Sequence, residues 1–94
     1  MKRVIGIGKA ADLKVRVYDR CKYDPKSVKL SDTILTEVDH IEVVSGEDAE
    51  DVELHLHSWQ IDEYAEYVVV VFEDESTVTF KNSYVDVFKE EKAA

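Results

Sequence analysis

Alternation of apolar and polar residues at every second position dominates this chain. Residues 13–18 place three apolar side chains on one side and charged or polar side chains on the other, which predicts a half-buried β-strand. Residues 51–57 alternate in the same way, and residues 40–44 and 3–7 are further strand candidates. The spacing of these segments indicates short strands joined by turns.

The C-terminal third of the chain predicts a β-hairpin and one more strand. Tyr67–Phe72 is a continuous, mostly valine run, typical of a central strand that is covered on both faces. A turn over residues 73–76 leads into a second strand at Thr77–Phe80. Glu75 stands where such hairpins commonly carry glycine, so we expect a wide or strained turn. Residues 84–88 are again β-prone.

Helix is scarce in this sequence. We expect at most one short helix, over residues 58–66, with Ser58 as its N-cap. Residues 19–31 are basic, contain the single proline and lack periodicity, so we predict a long loop there. The sum is six or seven short strands, which predicts a mainly β fold: a small antiparallel sandwich, barrel or curled meander.

Length and composition are those of one small globular domain. The chain has 94 residues, and 45% of them are apolar, more than disordered chains contain. We predict a single acidic β-rich domain over residues 1–89 and a frayed tail over residues 90–94. The only cysteine, Cys21, excludes a disulfide scaffold, and its flanking cations leave open whether its thiol is reactive or incidental.

No stretch of the chain has the composition of a membrane span or a signal peptide. The longest purely apolar run, Val68–Phe72, is far shorter than the roughly 20 residues that cross a bilayer. The N-terminal apolar stretch is too short for a signal-peptide core. We therefore expect a cytoplasmic protein with no membrane partner.

Charge is divided unevenly along the chain, whose formal net charge is −9. Residues 1–30 hold nine of the 12 lysines and arginines, whereas residues 31–94 hold 18 of the 21 carboxylates. The two segments either fold against each other and partly neutralise, or present opposed faces that favour self-association and steer charged partners.

Motifs of known chemistry are weak here. Residues 6–11 superficially match the glycine-rich dinucleotide fingerprint, but the strand predicted from Leu13 leaves no room for the helix that this mechanism needs. No nucleophile elbow or phosphate-binding loop is present, and the sequence alone does not select an acid/base pair among 21 carboxylates. We expect no enzymatic activity and no cofactor.

A metal site is the first alternative. Glu53, His55 and His57 share one face of a predicted strand, and two imidazoles with a carboxylate suit Zn²⁺ or another divalent metal. His40, on the preceding strand candidate, is a possible further ligand. This alternative is a divalent-metal-binding protein or a hydrolase, against the simpler interpretation of a solvent-facing strand.

Nucleic-acid binding by the basic segment 14–29 is the second alternative. Lys14 and Arg16 share the outer face of a strand with Tyr18, and four further cations follow up to Lys29. The acidic remainder would repel a polyanion, so we expect no nucleic-acid partner.

The opposite hypothesis is mimicry of a polyanion by the acidic segment. Same-face carboxylates on a strand are about 7 Å apart, close to the phosphate spacing of one nucleic-acid strand. The candidate same-face pairs are Glu37 with Asp39 and Asp51 with Glu53. Other carboxylates add density: Asp62, Glu63, Glu66, Glu73, Asp74 and Glu75.

Residues 66–88, from the valine run to Phe88, resemble the C-terminal block of short acidic proteins encoded by phages and mobile elements of Gram-positive bacteria. The resemblance covers about a quarter of the chain and rests on a hairpin pattern. It implies a class of small accessory proteins, some of which inhibit host defence enzymes by binding them. Such a protein would act in the host cell cytoplasm.

These observations lead to one expectation of function. We expect a non-enzymatic, homo-oligomeric interaction protein whose acidic face binds a basic patch of a protein partner. Its candidate aromatic anchors are Trp59, Tyr64, Tyr67 and Tyr84, against the simpler interpretation that each packs in the core or on a sheet. The predicted partner-binding residues are Glu47, Asp48, Glu50, Asp51, Glu53, Asp62, Glu63, Glu66, Trp59 and Tyr64.

Overall fold

A computed structural model describes residues 2–46 and 64–91 of the chain. Within these residues the elements are antiparallel β-strands and one short 3-10 turn at Asn82–Tyr84. The strands are β1 (Lys2–Gly6), β2 (Ala11–Asp19), β3 (Val28–Leu35), β4 (Val38–Ser45), β5 (Glu66–Phe72), β6 (Thr77–Lys81) and β7 (Val85–Glu91). The predicted mainly β, antiparallel fold is confirmed.

The strands form two sheets. The first sheet has the order β1-β4-β5-β6, and the second sheet has the order β3-β2-β7. The chain passes from one sheet to the other between β1 and β2, between β3 and β4, and between β6 and β7. Among the described strands, β1 and β6 are the edges of the first sheet and β3 and β7 are the edges of the second, so the fold is not a closed barrel.

Apolar side chains from both sheets form the main core. Leu13 and Val15 of β2 alternate with outward polar residues and are almost fully buried, as their period-two pattern predicts. Ile41 of β4 and Val68 and Val70 of β5 belong to the same buried cluster. The core therefore lies between the inner faces of the two sheets.

Strand β5 is buried on both faces, which confirms its prediction as a central strand. It pairs with β4 on one side and β6 on the other. Val68 and Val70 contribute to the main core, whereas Tyr67 and Val69 pack with Val44 in a second buried cluster. Because neighbouring residues of a strand point to opposite faces, this second cluster lies on the outer face of the first sheet.

Four connections contain a residue in the left-handed region, namely Gly8, Arg20, Glu37 and Glu75. Gly8 has φ +86° in the connection between β1 and β2, where a side chain would be strained. Strand β2 begins at Ala11, so no helix follows the glycines and the dinucleotide interpretation stays excluded. Glu75 has φ 72° in the β5–β6 turn, which confirms the strain expected from the missing glycine.

Two predicted boundaries were wrong in part. The loop predicted over residues 19–31 is shorter, because β2 runs to Asp19 and β3 begins at Val28. Strand β3 is an exposed edge strand, so its residues carry no burial pattern that a sequence could reveal. Glu66 already belongs to β5 rather than to the predicted helix 58–66, most of which lies outside the described residues. Strand β7, which confirms the β-prone stretch predicted over residues 84–88, ends at Glu91.

Candidate interaction surface

The outer face of the second sheet carries a network of opposite charges. Alternation along β2 sends Arg16 and Tyr18 to this face, away from the core. The strand register places Asp32 of β3 on one side of Arg16 and Asp86 of β7 on the other. We call the following residues the cross-strand ion network: Lys14, Arg16, Lys22, Lys29, Asp32, Asp86 and Glu90.

Asp32 is the acceptor for three cations of this network. Arg16 donates from Nε to Asp32 Oδ1 at 2.9 Å and from Nη2 to Oδ2 at 3.4 Å. Lys29 Nζ lies 3.3 Å and Lys14 Nζ 3.8 Å from Asp32 Oδ2. The hydrogen bonds from Arg16, assisted by Lys29, lower the pKa of the Asp32 carboxyl to about 2.

Asp86 has the same role on the β7 side. The Tyr18 hydroxyl donates to Asp86 Oδ2 at 2.7 Å, and Lys22 Nζ lies 3.2 Å from Asp86 Oδ1. Lys22 Nζ also donates to the Val85 carbonyl at 3.0 Å. The hydrogen bond from Tyr18, with Lys22 beside it, lowers the pKa of Asp86, and the same hydrogen bond raises the pKa of Tyr18.

The basic segment is thus folded against carboxylates from later in the chain. Lys14, Arg16 and Lys22 reach Asp32 or Asp86, both of which belong to the acidic segment. Of the two possibilities that the charge division left open, local neutralisation is therefore realised on this face. This pairing leaves less positive charge on residues 14–29 for contacts with a phosphate backbone, which weakens the alternative of nucleic-acid binding by this segment.

Five carboxylates that the cations of the ion network do not reach lie together at one end of the first sheet. Glu37 lies in the β3–β4 turn, and Asp39 lies near the start of β4. Glu73, Asp74 and Glu75 form the β5–β6 turn. All five residues are exposed. We call these five residues the acidic loop pair.

Backbone hydrogen bonds hold the acidic loop pair together. Glu73 N–H donates to the Glu37 carbonyl at 2.8 Å and so joins the two turns. Glu75 N–H donates to the Phe72 carbonyl at 2.9 Å, and Ser76 N–H donates to Asp74 Oδ1 at 2.9 Å. The carboxylates therefore extend from a fixed backbone.

The regular same-face spacing of carboxylates predicted for Glu37 and Asp39 is not present. Glu37 has φ 57° and precedes β4, and the β4–β5 register shifts between Val38 and His40. These two carboxylates therefore do not keep the spacing of an uninterrupted strand.

His40 lies beside the acidic loop pair and contacts two carboxylates. Its Nδ1 is 2.7 Å from Asp39 Oδ2, and its Nε2 is 3.2 Å from Glu42 Oε1. The hydrogen bond with Asp39, together with that of Glu42, raises the pKa of His40 above its ordinary value. Its imidazole is thus held by carboxylates within its own strand.

Of the predicted partner-binding residues, Tyr64 and Glu66 lie within the described part of the chain. Tyr64 is 91% exposed, as a binding anchor requires. Glu66 is exposed at the start of β5 and accepts a hydrogen bond from Asn82 Nδ2 at 3.4 Å. The rest lie outside the described residues: Glu47, Asp48, Glu50, Asp51, Glu53, Asp62, Glu63 and Trp59.

Among the other aromatic candidates, Tyr67 is a core residue and not a surface anchor, which agrees with the simpler of its two interpretations. It is 1% exposed because its position in the central strand β5 directs it into the second buried cluster. Tyr84 is partly exposed, with Lys81 Nζ 5.4 Å from the centre of its ring.

The proposed metal ligands Glu53, His55 and His57 lie outside the described residues. In residues 2–46 and 64–91, no group of three or more His, Cys, Asp or Glu side chains is arranged to hold a metal ion. Cys21 is a free, partly buried thiol in the β2–β3 loop. No helix among the residues that the structure describes has the length and apolar character of a membrane span.

Sequence reasoning did not identify Asp32 and Asp86 as the partners of the basic segment. Each is an ordinary carboxylate in a β-prone stretch, and only the register of β2 with β3 and β7 brings both next to Arg16. Comparison with protein-family models, curated proteins and solved structures finds no match to this chain.

Proposed function

We propose that this chain is a non-enzymatic interaction protein that binds a basic surface of a protein partner through the acidic loop pair. The supporting observation is a difference in ion pairing between the cations of the second sheet and the carboxylates of the acidic loop pair. Lys14, Arg16, Lys22 and Lys29 have carboxylate partners in the second sheet. In the described part of the chain, no lysine or arginine forms an ion pair with the acidic loop pair.

A fixed group of carboxylates is well suited to such binding. The hydrogen bond between Glu73 and Glu37 limits the freedom of both turns before any partner arrives. Less conformational entropy is then lost on binding than for a flexible acidic tail. Concentrated negative charge also accelerates encounter with a basic surface and selects against acidic partners.

The acidic partner-binding residues predicted from sequence are part of the same proposal, because they carry the same charge as the acidic loop pair. Residues 47–63 contain seven carboxylates and no lysine or arginine. They add to the negative charge of the chain, and Tyr64 next to them is an exposed aromatic anchor. The complete proposed surface therefore combines the acidic loop pair with the predicted residues.

The finer proposal concerns the kind of partner. A basic surface that ordinarily contacts nucleic acid would fit, and inhibition of a host defence or nucleic-acid enzyme would follow from occupying that surface. The resemblance of residues 66–88 to phage-type accessory proteins supports this choice. Because Glu37 departs from strand geometry, mimicry would depend on charge density and not on regular spacing.

Capture of a partner by charge-reversed variants tests the proposal. Tagged wild-type protein is incubated with a Gram-positive bacterial lysate, and bound proteins are identified by mass spectrometry. We expect Glu37→Lys/Glu73→Lys to lose the partner, and free DNA to displace it from the wild type. Asp19→Lys/Glu91→Lys makes the same charge change elsewhere and should retain capture.

A third variant addresses the residues predicted from sequence. Reversal of Glu47, Asp48, Glu50 and Asp51 to Lys should also abolish capture while leaving the circular dichroism spectrum unchanged. Equal capture by the wild type and by both reversed variants would reject the acidic surface as the binding site.

Self-association through β3 is a second proposal, supported by a different observation. Strand β3 is eight residues long, forms an edge of the second sheet and exposes Val28, Leu30 and Ile34 by 62%, 64% and 48%. Exposed apolar side chains on a long edge strand favour pairing with another strand. A second copy of this chain can supply its own β3 in a symmetric arrangement.

The oligomeric state tests this second proposal. Sedimentation velocity over a range of concentrations should show a dimer for the wild type and a monomer for Leu30→Lys/Ile34→Lys. Val4→Lys, at the exposed edge strand β1, is the matched control and should remain dimeric. A wild type that is monomeric at every concentration would reject pairing through β3.

A further inference from the structure

A cleft opens between the two sheets on the side where β1 and β7 are the edge strands. Its volume is about 350 Å³, and its lining comes from β1, β2, β4, β5, β7 and residues of the adjoining loops. Small-molecule sites in proteins commonly occupy roughly 300 Å³ or more. The cleft is therefore large enough for a small ligand.

Apolar side chains form the floor of this cleft. Leu13, Ile41, Val68 and Val85 line it, and each is at most 5% exposed. An alkyl chain binds favourably to such a floor, because the apolar surfaces of both the chain and the protein are removed from water.

Two cations occupy positions on the inner faces of the edge strands. Arg3 pairs with Val43 in the register of β1 and β4, and Lys89 pairs with Leu13 in the register of β7 and β2. Directly paired residues of antiparallel strands project from the same face, so each cation begins beside a core residue. A Cβ atom built on Gly8 would lie 3.9 Å from Lys89 Nζ, which locates this ammonium near the β1–β2 connection.

Within the described residues, these two cations are not paired with carboxylates. Neither Arg3 nor Lys89 forms an ion pair there. Lys22 also lines the cleft, but it is bound to the Asp86 carboxylate and to the Val85 carbonyl. The cleft thus combines an apolar floor with two available positive charges.

We propose that this cleft binds a small aliphatic carboxylate. The alkyl chain contacts Leu13 and Val68, and the carboxylate interacts with Arg3 and Lys89. Charge complementarity selects this occupant: a neutral chain leaves both cations unused, and a cationic chain is repelled. In a protein with a net charge of −9, positive groups at an apolar cleft are a local exception to the overall charge.

Protection of the sheet edges is the competing explanation for these cations. Inward-pointing charges on edge strands prevent pairing with other chains. That role requires the charges but no ligand, so the two explanations differ in whether binding depends on Arg3 and Lys89.

Titration with octanoate, followed by methyl and amide NMR, tests the proposal. We expect saturable shifts confined to the cleft, including the methyl groups of Leu13 and Val68. Octanoate should bind at least about tenfold more tightly than 1-octanol, because charge-assisted hydrogen bonds form only with the acid. Octylammonium should cause no saturable shift in the cleft.

Variants separate the contributions of charge and shape. Arg3→Gln/Lys89→Gln should weaken octanoate binding about tenfold or more and leave octanol binding unchanged. Arg20→Gln/Lys26→Gln removes the same charge from the β2–β3 loop and should have no effect. Ile5→Trp places a bulky ring at the partly exposed edge of the cleft and should abolish octanoate binding with both cations present.

Several outcomes would overturn the proposal. These are shifts outside the cleft, equal affinity for octanoate and octanol, or unchanged octanoate binding by Arg3→Gln/Lys89→Gln, which would leave edge protection as the role of the cations. A dimer that covers the cleft would also overturn it. Glu37→Lys/Glu73→Lys should retain octanoate binding, so the result is independent of the proposed interaction surface.

Discussion

Arg16 and Asp32 form a two-point contact across the β2–β3 pair, with Nε 2.9 Å from Oδ1 and Nη2 3.4 Å from Oδ2. The two residues are 16 positions apart and directly paired in the strand register. A guanidinium and a carboxylate match in this geometry, so the contact links the edge strand β3 to the centre of the second sheet. It also lowers the pKa of the Asp32 carboxyl to about 2.

The first prediction concerns acid stability. The pKa of Asp32 is about 2 in the folded chain, below its ordinary value of 3.8. Its stabilising contribution is therefore present above pH 3.8 and lost as the pH falls through that value towards 2. Asp32→Asn should be slightly less stable than the wild type at neutral pH, and the difference should vanish near pH 2.

Urea unfolding over a pH series measures this difference. Asp19→Asn makes the same exchange at the end of β2, outside the cross-strand ion network, and is the control for removal of a carboxylate. Because the pair is exposed, the expected effect is small. A constant gap between the wild type and Asp32→Asn down to pH 2 would contradict the role of Arg16.

The second prediction concerns His40. Asp39 and Glu42 raise its pKa above 6.5, so the stabilisation from charged His40 is complete below pH 6.5 and is lost as the pH rises through the raised value. NMR titration of the imidazole should give a midpoint above 6.5, and Asp39→Asn should lower it. Glu91→Gln, on the second sheet, should leave the midpoint unchanged. A midpoint at or below 6.5 in the wild type would reject the contact.

The third prediction concerns the main core. Leu13 is 1% exposed between the sheets, whereas Val4 is 58% exposed on β1. Leu13→Ala should lower the free energy of unfolding by about 3 kcal/mol, because it removes buried methyl groups and leaves a cavity. Val4→Ala should change it by less than about 0.5 kcal/mol. Chemical denaturation compares the two, and similar losses would contradict the assignment of the inner face.

The fourth prediction concerns the strained turn. Glu75 has φ 72°, a region in which a residue with a side chain costs roughly 1–2 kcal/mol. Glycine removes that cost but gains freedom in the unfolded chain, so Glu75→Gly should stabilise by up to about 1 kcal/mol. Asp74→Gly should destabilise, because it removes the acceptor of the Ser76 N–H. Thermal denaturation should therefore move the two midpoints in opposite directions.

The fifth prediction concerns a buried hydroxyl. Thr79 Oγ1 is buried on the outer face of the first sheet and has no hydrogen-bond partner among the described residues. Thr79→Val should raise the free energy of unfolding by about 1 kcal/mol, because an unsatisfied polar group is replaced by a methyl group. Thr33→Val makes the same change on exposed β3 and should have little effect. Equal effects at both positions would point to strand propensity as the cause.

The strands with buried faces were predictable because the spacing of apolar residues in their sequences shows which faces are buried. The alternation of Leu13 and Val15 located β2, and the valine run located β5 together with its coverage on both faces. The strain in the β5–β6 turn was predictable because Glu75 stands where a hairpin of this kind usually carries glycine. Strand β3 was missed because an edge strand exposed on both sides needs no alternation, and its order comes from pairing with β2.

The sequence by itself determined the fold class, the central position of β5 and the uneven division of charge, because each follows from the kind and spacing of neighbouring residues. Only the tertiary structure decided which charges meet. Register placed Asp32 and Asp86 on either side of Arg16, joined the turns of Glu37 and Glu73, and brought Arg3 and Lys89 to one cleft. These contacts join residues distant in sequence, and strand pairing between distant segments leaves no local signal in either segment.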